Sequence, residues 1–314
     1  MKRPAQPALS DAGEAALAPY VRHLHDEQDL SAATRRNYLS DLRQFAAWCE
    51  HSWAEGQDEL RPFAPTAIST PTITTYRCYL QTVVGLRPAS IDRHLVSVKR
   101  YLAWAVDGGH VARDPSRVIK LIPRTPQPPR HLTDREEQAL IAAVSQHGSL
   151  RDCTLLVVAL HTGLRAEELC GLKREHVHLG QRSGHLTVYG KRNKYREAPL
   201  NSTARDALTG YLQTLPRGST YLFPSRKRVE PDGDVGPVGE RALVYIVSKY
   251  AEQARVPDLS AHDLRHRFGC RMAHTVPLHR VAQLMGHDSL DTTLRYVRGT
   301  QQDLQQSVET IAWA

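Results

Sequence analysis

The chain has 314 residues, 41% apolar and 24% charged, a globular balance with length for two domains, each with its own core. No apolar run approaches the roughly 20 residues that cross a bilayer, and the opening MKRPAQPALSDAGEAAL lacks the apolar stretch of a secretory signal, so a cytoplasmic protein is expected. Lys and Arg number 41 against 33 Asp and Glu, a net charge of +8 concentrated after residue 120, which points to a polyanionic partner.

A first helix is expected at about 11–27. In SAATRRNYLSDLRQFAAWCE, Ser31 is a candidate N-cap, and Tyr38, Leu42, Phe45 and Trp48 recur at helical spacing. Two further helices are predicted near 71–84 and 90–106, the second with Ile91, Leu95, Val98 and Leu102 as its apolar stripe. Together they predict an all-helical first domain. Four prolines, Pro123, Pro126, Pro128 and Pro129, then forbid a continuous helix and read as an extended linker, with a boundary near residue 125. Thr133, with Glu136 three residues later, forms a capping box that opens the next domain.

The second domain reads as helices near 133–147 and 150–161, then the turn TGLRAEELCGL. Polar-apolar alternation in HLTVYG and YREAPL, joined by KRNK, predicts a β-hairpin. Helices resume near 202–214, 239–254, 261–274 and 277–285, with a last one after Asp288. The expected fold is mainly α with a small β-hairpin or sheet, in two domains. Cys49, Cys78, Cys153, Cys170 and Cys270 form no C-x-x-C pair, which argues against a disulfide framework or zinc knuckle; they read as buried, reduced small hydrophobes.

Four segments of the second domain carry phosphate-binding or proton-transferring groups. Arg165 follows a glycine turn at a helix start, and Glu168 lies three residues on; by themselves they read as a surface ion pair. Lys191, Arg192, Lys194 and Arg196 lie in or beside the hairpin tip, as a solvated turn or a loop along a DNA groove. A lysine at such a tip can also deliver a proton to a leaving oxygen. In LSAHDLRHRFG, His262 and Arg265 share one side of a helix. His262 and His266 invite comparison with H-E-x-x-H, but the second residue is Asp263 and no third ligand is placed, so no metal is expected and His266 reads as a packed structural histidine. His287 caps the turn after Met285 and Gly286. Tyr296 follows between Arg295 and Arg298, off the middle of the stripe made by Leu290, Leu294 and Val297.

These segments, in this order, resemble the tyrosine recombinases of the phage integrase family, most closely the short Xer-type bacterial members. The family motif is an arginine in a T-G-L-R turn, a hairpin lysine, H-x-x-R, a G-H turn and a tyrosine nine residues after that histidine. Here these are Arg165, Lys191, His262 with Arg265, His287 and Tyr296. The resemblance covers nearly the whole chain. It implies an N-terminal helical core DNA-binding domain at 1–120, a linker at 121–131, and a catalytic domain with a C-terminal tail at 132–314. It also implies site-specific recombination through a 3′-phosphotyrosyl link on Tyr296. Arg165 and Arg265 would clamp the phosphate with His287 as an added donor, and Lys191 would protonate the 5′ oxygen. His262 would assist proton transfer at the nucleophile, and Glu168 would support the arginines. The covalent link keeps the bond energy, so neither a cofactor nor a metal is implied. Arg298, where many relatives carry histidine, and the pair Ala166–Glu167 depart from the usual pattern without touching this chemistry.

The implied partner is double-stranded DNA. Arg35, Arg36, Arg93, Lys99 and Arg100 from the first domain, and Arg192, Lys194, Arg226, Lys227 and Arg228 from the second, are candidates to clamp it with a steep salt dependence. The first domain begins almost at once, which favours a simple core-site enzyme. In the tail QQDLQQSVETIAWA, Leu304, Val308, Ile311 and Trp313 make a short apolar face. The resemblance implies that it packs on a neighbour within a homo-tetramer, or a hetero-tetramer with a related recombinase; packing on its own domain is the alternative. A type IB topoisomerase-like activity and a non-catalytic DNA-binding protein are the competing readings.

Overall fold

Helix α1 (Asp11–Asp26) buries Leu17, Tyr20 and Leu24, and helix α2 (Ala32–Ala54) follows, its start fixed by the Ser31 hydroxyl accepting the Thr34 N–H at 3.2 Å. The structure is a computed structural model that describes residues 7–26, 30–54, 61–123, 130–189, 195–229 and 235–286. The chain divides into two units, Met1–Pro126 and Gln127–Ala314.

In the first unit, α3 (Thr70–Thr82) opens on a reciprocal cap between Ser69 and Thr72, and α4 (Pro88–Asp107) opens on proline, whose fixed φ suits the first helical turn. The predicted stripe of Ile91, Leu95, Val98 and Leu102 is buried. The core between these helices is largely aromatic: Phe45 and Tyr76 meet edge to face at 4.9 Å, and Trp48 lies 5.1 Å from Tyr76. The segment after α4 stays with this unit, because Asp92 accepts the Ile122 N–H at 2.9 Å and the Ile119 and Ile122 side chains pack on the core.

In the second unit, Thr133 and Glu136 form both halves of the expected capping box at the start of α5 (Asp134–His147). Helix α6 (Leu150–Thr162) is apolar on nearly all sides, with Leu155, Leu156, Val158 and Leu160 buried, so it becomes the central helix between α5, α8 and α10. Short α7 (Ala166–Cys170) follows. Strands β1 (Val177–Leu179), β2 (Gly184–Tyr189) and β3 (Tyr195–Pro199) form an antiparallel sheet in that order, with Leu186 opposite Ala198 and Val188 opposite Arg196. Strands β2 and β3 are the expected hairpin; β1, at three residues, is too short to show alternation.

Helix α8 (Ser202–Thr214) is capped by Asn201, and a second hairpin follows, β4 (Pro224–Val229) with β5 (Val235–Pro237). This hairpin adds to the expected elements: the basic run from Arg226 to Arg228 hides a strand, although the Asp232-Gly233 dipeptide is a hairpin-turn signal. Helices α9 (Glu240–Gln253), α10 (Ala261–Ala273) and α11 (Leu278–Met285) complete the described fold; the helix expected after Asp288 lies outside the described residues. Cys49, Cys170 and Cys270 are buried, but Cys78 is exposed, because α3 turns Ile73, Tyr76 and Leu80 inward and Cys78 falls on its other face. Among the described residues no helix is long and apolar enough to cross a membrane.

Candidate active site

Gly163 ends α6 in the left-handed region (φ 61°), where a Cβ would lie 2.3 Å from the Phe268 ring, so both backbone and space require glycine. Two residues later Arg165 caps α7 in extended conformation. Its N–H donates to Glu168 Oε2 at 2.8 Å, Nη1 to Oε1 at 2.9 Å, and Nη2 to the Gly286 carbonyl at 2.6 Å. Its side chain is 43% exposed; that of Glu168 is 5% exposed. The pair is therefore not a surface ion pair, because α7 turns its carboxylate inward.

The same carboxylate meets two more cations. Arg196 on β3 grips both oxygens, Nη1 to Oε1 at 3.0 Å and Nη2 to Oε2 at 3.1 Å, and reaches the Met285 carbonyl at 3.5 Å. Arg265, 4% exposed on α10, donates to the carbonyls of Gly163 at 2.5 Å and Met285 at 2.8 Å, with Nη1 3.9 Å from Glu168. Burial pushes the Glu168 carboxyl up, but the bonds from Arg196 and from the Arg165 backbone outweigh it and hold it below the ordinary range. Three guanidiniums around one carboxylate leave an excess of two positive charges, a setting for an anion.

The cations also grip the end of α11. Its last carbonyls lack intrahelical partners and carry the negative end of the helix dipole, so arginines are favoured there. Gly286 closes the helix in the left-handed region (φ 63°), and a Cβ on it would lie 2.8 Å from Arg196 Nε. Its neighbour in sequence is His287.

His262 is exposed in the first turn of α10, one turn before Arg265. Asp263 is committed elsewhere: its Oδ2 accepts both the N–H and the hydroxyl of Ser260, as the helix cap. His266 is buried against Cys270, and burial, then His262, hold its pKa below the ordinary range. The sequence places Arg196 beside the hairpin tip, and the structure turns it inward onto Glu168. Its alternation in YREAPL gives the signal for an inward position, since it shares a strand face with buried Ala198. Lys191, Arg192, Lys194, His287 and Tyr296, with Arg298 and the apolar tail, lie outside the described residues.

The family model described as "Phage integrase family" matches residues 130–303, and "Phage integrase, N-terminal SAM-like domain" matches 17–109. The chain belongs to the phage integrase family. It is 29% identical over 293 residues to a tyrosine recombinase XerC of Xanthomonas campestris, covering 91% of this chain and 85% of that one. It is 30% identical over 292 residues to tyrosine recombinase XerD of Pseudomonas aeruginosa, covering 88% and 91%. Among solved structures, the XerH site-specific recombinase bound to difH substrate, a pre-cleavage complex, shares the fold with a TM-score of 0.68 at 16% identity, covering 98% of this chain and 99% of that one. The chain is thus an enzyme, a tyrosine site-specific recombinase.

In this recombinase the SAM-like match runs from within α1 to the end of α4 and holds the five first-domain cations that are candidates to grip DNA. Four of them also act within their own unit. Arg93 pairs with fully buried Asp41 at 2.9 Å, its own side chain 46% exposed. Lys99 donates to the Ser116 carbonyl at 2.8 Å, Arg100 lies over the Tyr38 ring at 5.4 Å, and Arg35 donates to the His25 carbonyl at 3.2 Å. Arg36 is exposed on α2. In the second unit Arg226 reaches Ser149 at 3.1 Å and Asp152 at 3.6 Å from a largely exposed position, and Lys227 and Arg228 continue β4.

Proposed function

We propose that this recombinase cuts and rejoins duplex DNA at specific sites through a 3′-phosphotyrosyl link on Tyr296, as a tetramer acting on two DNA sites. The single observation that carries the reading is the convergence of Arg165 and Arg265 on Glu168 and on the carbonyls of Met285 and Gly286, directly before His287 and ten residues before Tyr296 in sequence. That arrangement is a cationic cage for a phosphodiester.

In the first step the Tyr296 oxygen bonds to phosphorus and its proton passes toward His262. The bond from phosphorus to the 5′ oxygen breaks, and Lys191 protonates that oxygen. A 5′ hydroxyl leaves, and the 3′ phosphate stays on the tyrosine. Charge that builds on the nonbridging oxygens is met by Arg165, Arg265 and His287, which stabilise it more than they do the ground state. Loss of one such donor costs about two orders of magnitude in rate. Attack by the 5′ hydroxyl of a partner strand reverses the step and regenerates the phenol, with no net change in bond count. A tyrosine of ordinary pKa near 10 needs these cations to favour its phenolate.

Residues 1–120 form the core DNA-binding domain, 121–131 the linker, whose start, including Ile122, is still packed on the first unit, and 132–314 the catalytic domain. The tail at 302–314 packs on a neighbouring protomer, a second copy or a related recombinase. The Tn1549 transposon integrase, solved in complex with circular intermediate DNA, supports DNA as the partner.

The test is covalent trapping. The parent protein is incubated with fragmented genomic DNA, the DNA retained by covalent attachment is sequenced, and a nicked duplex is built on that site. The parent forms a denaturant-stable adduct with it, and Tyr296→Phe forms none. An adduct of undiminished yield on Tyr296→Phe would remove this reading.

A further inference from the structure

A cage that binds phosphate does not at first sight want a carboxylate in its middle. Glu168 is nearly sealed from water, so its charge must be answered by the protein. Among the described residues the cations in reach are Arg165, Arg196 and Arg265, and they meet it in different ways. Arg196 alone takes both oxygens in parallel. Arg165 gives Glu168 one side-chain nitrogen and its backbone N–H, while its other terminal nitrogen holds the Gly286 carbonyl. Arg265 stands off at 3.9 Å, its hydrogen bonds going to Gly163 and Met285.

The exposures follow the same division. The Arg196 side chain is 18% exposed and that of Arg165 43% exposed. Arg196 Nε is buried and has no hydrogen-bond partner among the described residues. The room it occupies is kept open by Gly286, where any Cβ would strike its guanidinium. A side chain placed this way is shaped to serve Glu168 and the end of α11.

We infer that Arg196 is a positioning residue of this site: its two-pronged pair with Glu168 neutralises that carboxylate, so that Arg165 and Arg265 stay directed at an anion in the cage. The inference rests on the assignment of Arg165 and Arg265 to the scissile phosphate. Without Arg196, the buried carboxylate has, among the described residues, those two guanidiniums to draw on. Each turns further onto Glu168 and away from the DNA. On this account Glu168 orients the cage only while Arg196 holds its charge in balance.

The experiment compares single-turnover adduct formation on the nicked duplex recovered by covalent trapping, with thermal midpoints recorded for every variant of the full chain. Arg196→Gln is expected to slow adduct formation about 100-fold, the scale of one lost directed donor. The double variant Glu168→Gln with Arg196→Gln removes the unanswered charge as well, and is expected to be about tenfold faster than Arg196→Gln alone, a coupling of the size charged neighbours show. Arg196→Lys keeps the charge, gives up the second prong and should remain within about tenfold of the parent. A residue that only held the fold would make the double variant at least as slow as the single one. A double variant no faster than Arg196→Gln, an Arg196→Gln rate equal to the parent's, or an Arg196→Lys as slow as Arg196→Gln at an unchanged midpoint would each overturn the inference. A parent that forms no adduct removes the phosphotyrosyl reading and this inference with it; an active parent with unaffected Arg196 variants removes this inference alone.

Discussion

Around Phe45 the first unit packs ring on ring, with Trp48, Phe63 and Tyr76 all centred within 6.5 Å of it, whereas around Leu156 the second unit packs Leu and Val, with aromatics such as Tyr211 and Phe223 stacked at 5.7 Å. The charges differ as well. In the first unit Arg93, Lys99 and Arg100 each have a separate partner: Asp41, the Ser116 carbonyl and the Tyr38 ring. In the second, Arg165, Arg196 and Arg265 crowd on Glu168. A cation with its own partner stiffens the helices it joins and presents part of its field to a polyanion. Cations that share one carboxylate leave a local excess of charge, which an anion can complete. The first arrangement suits gripping a backbone at many points; the second suits stabilising charge at one atom.

The largest effect should come from the aromatic core. Phe45→Ala is expected to cost about 3–5 kcal/mol, read as a lowered denaturation midpoint. A cost below about 1 kcal/mol would mean that ring packing is not what separates the two units. Next is Arg165→Ala, expected to cut adduct formation about 100-fold while the thermal midpoint moves little, since Arg196 and Arg265 still answer the buried Glu168 carboxylate. A matching loss of stability would make the crowded cations structural, like those of the first unit. The smallest effect separates two cations of the first unit. Arg36→Ala should lower the salt-dependence slope of DNA binding by about one and leave stability within about 0.5 kcal/mol. Arg93→Ala should lower the slope likewise and also destabilise the fold, because Asp41 stays buried without its ion-pair partner. An unchanged slope for Arg93→Ala would confine that arginine to its pair with Asp41.

Much of this was legible in the residues. Ser31, Thr133 with Glu136, and the stripe from Ile91 to Leu102 announce helices because caps and periodicity act within a few residues of one another. The T-G-L-R turn and H-x-x-R carried the recombinase resemblance, since each motif sets its own local geometry. The β4–β5 hairpin was less legible: charge in the run from Arg226 to Arg228 masks alternation, and only the Asp-Gly dipeptide marks the turn.

By itself, then, the chain's order of residues decided which segments become helices, where the two units part company in composition, and which side chains are chemically fit to meet a phosphate. Only the tertiary structure decided how those side chains are used. It buried Glu168, brought Arg196 to it from 28 positions away and Arg165 to the Gly286 carbonyl across 121, and engaged Arg93 with Asp41. The reason is physical: helical spacing and caps act between near neighbours, whereas the partner of a buried charge is whichever opposite charge the packing of distant elements brings within about 3 Å.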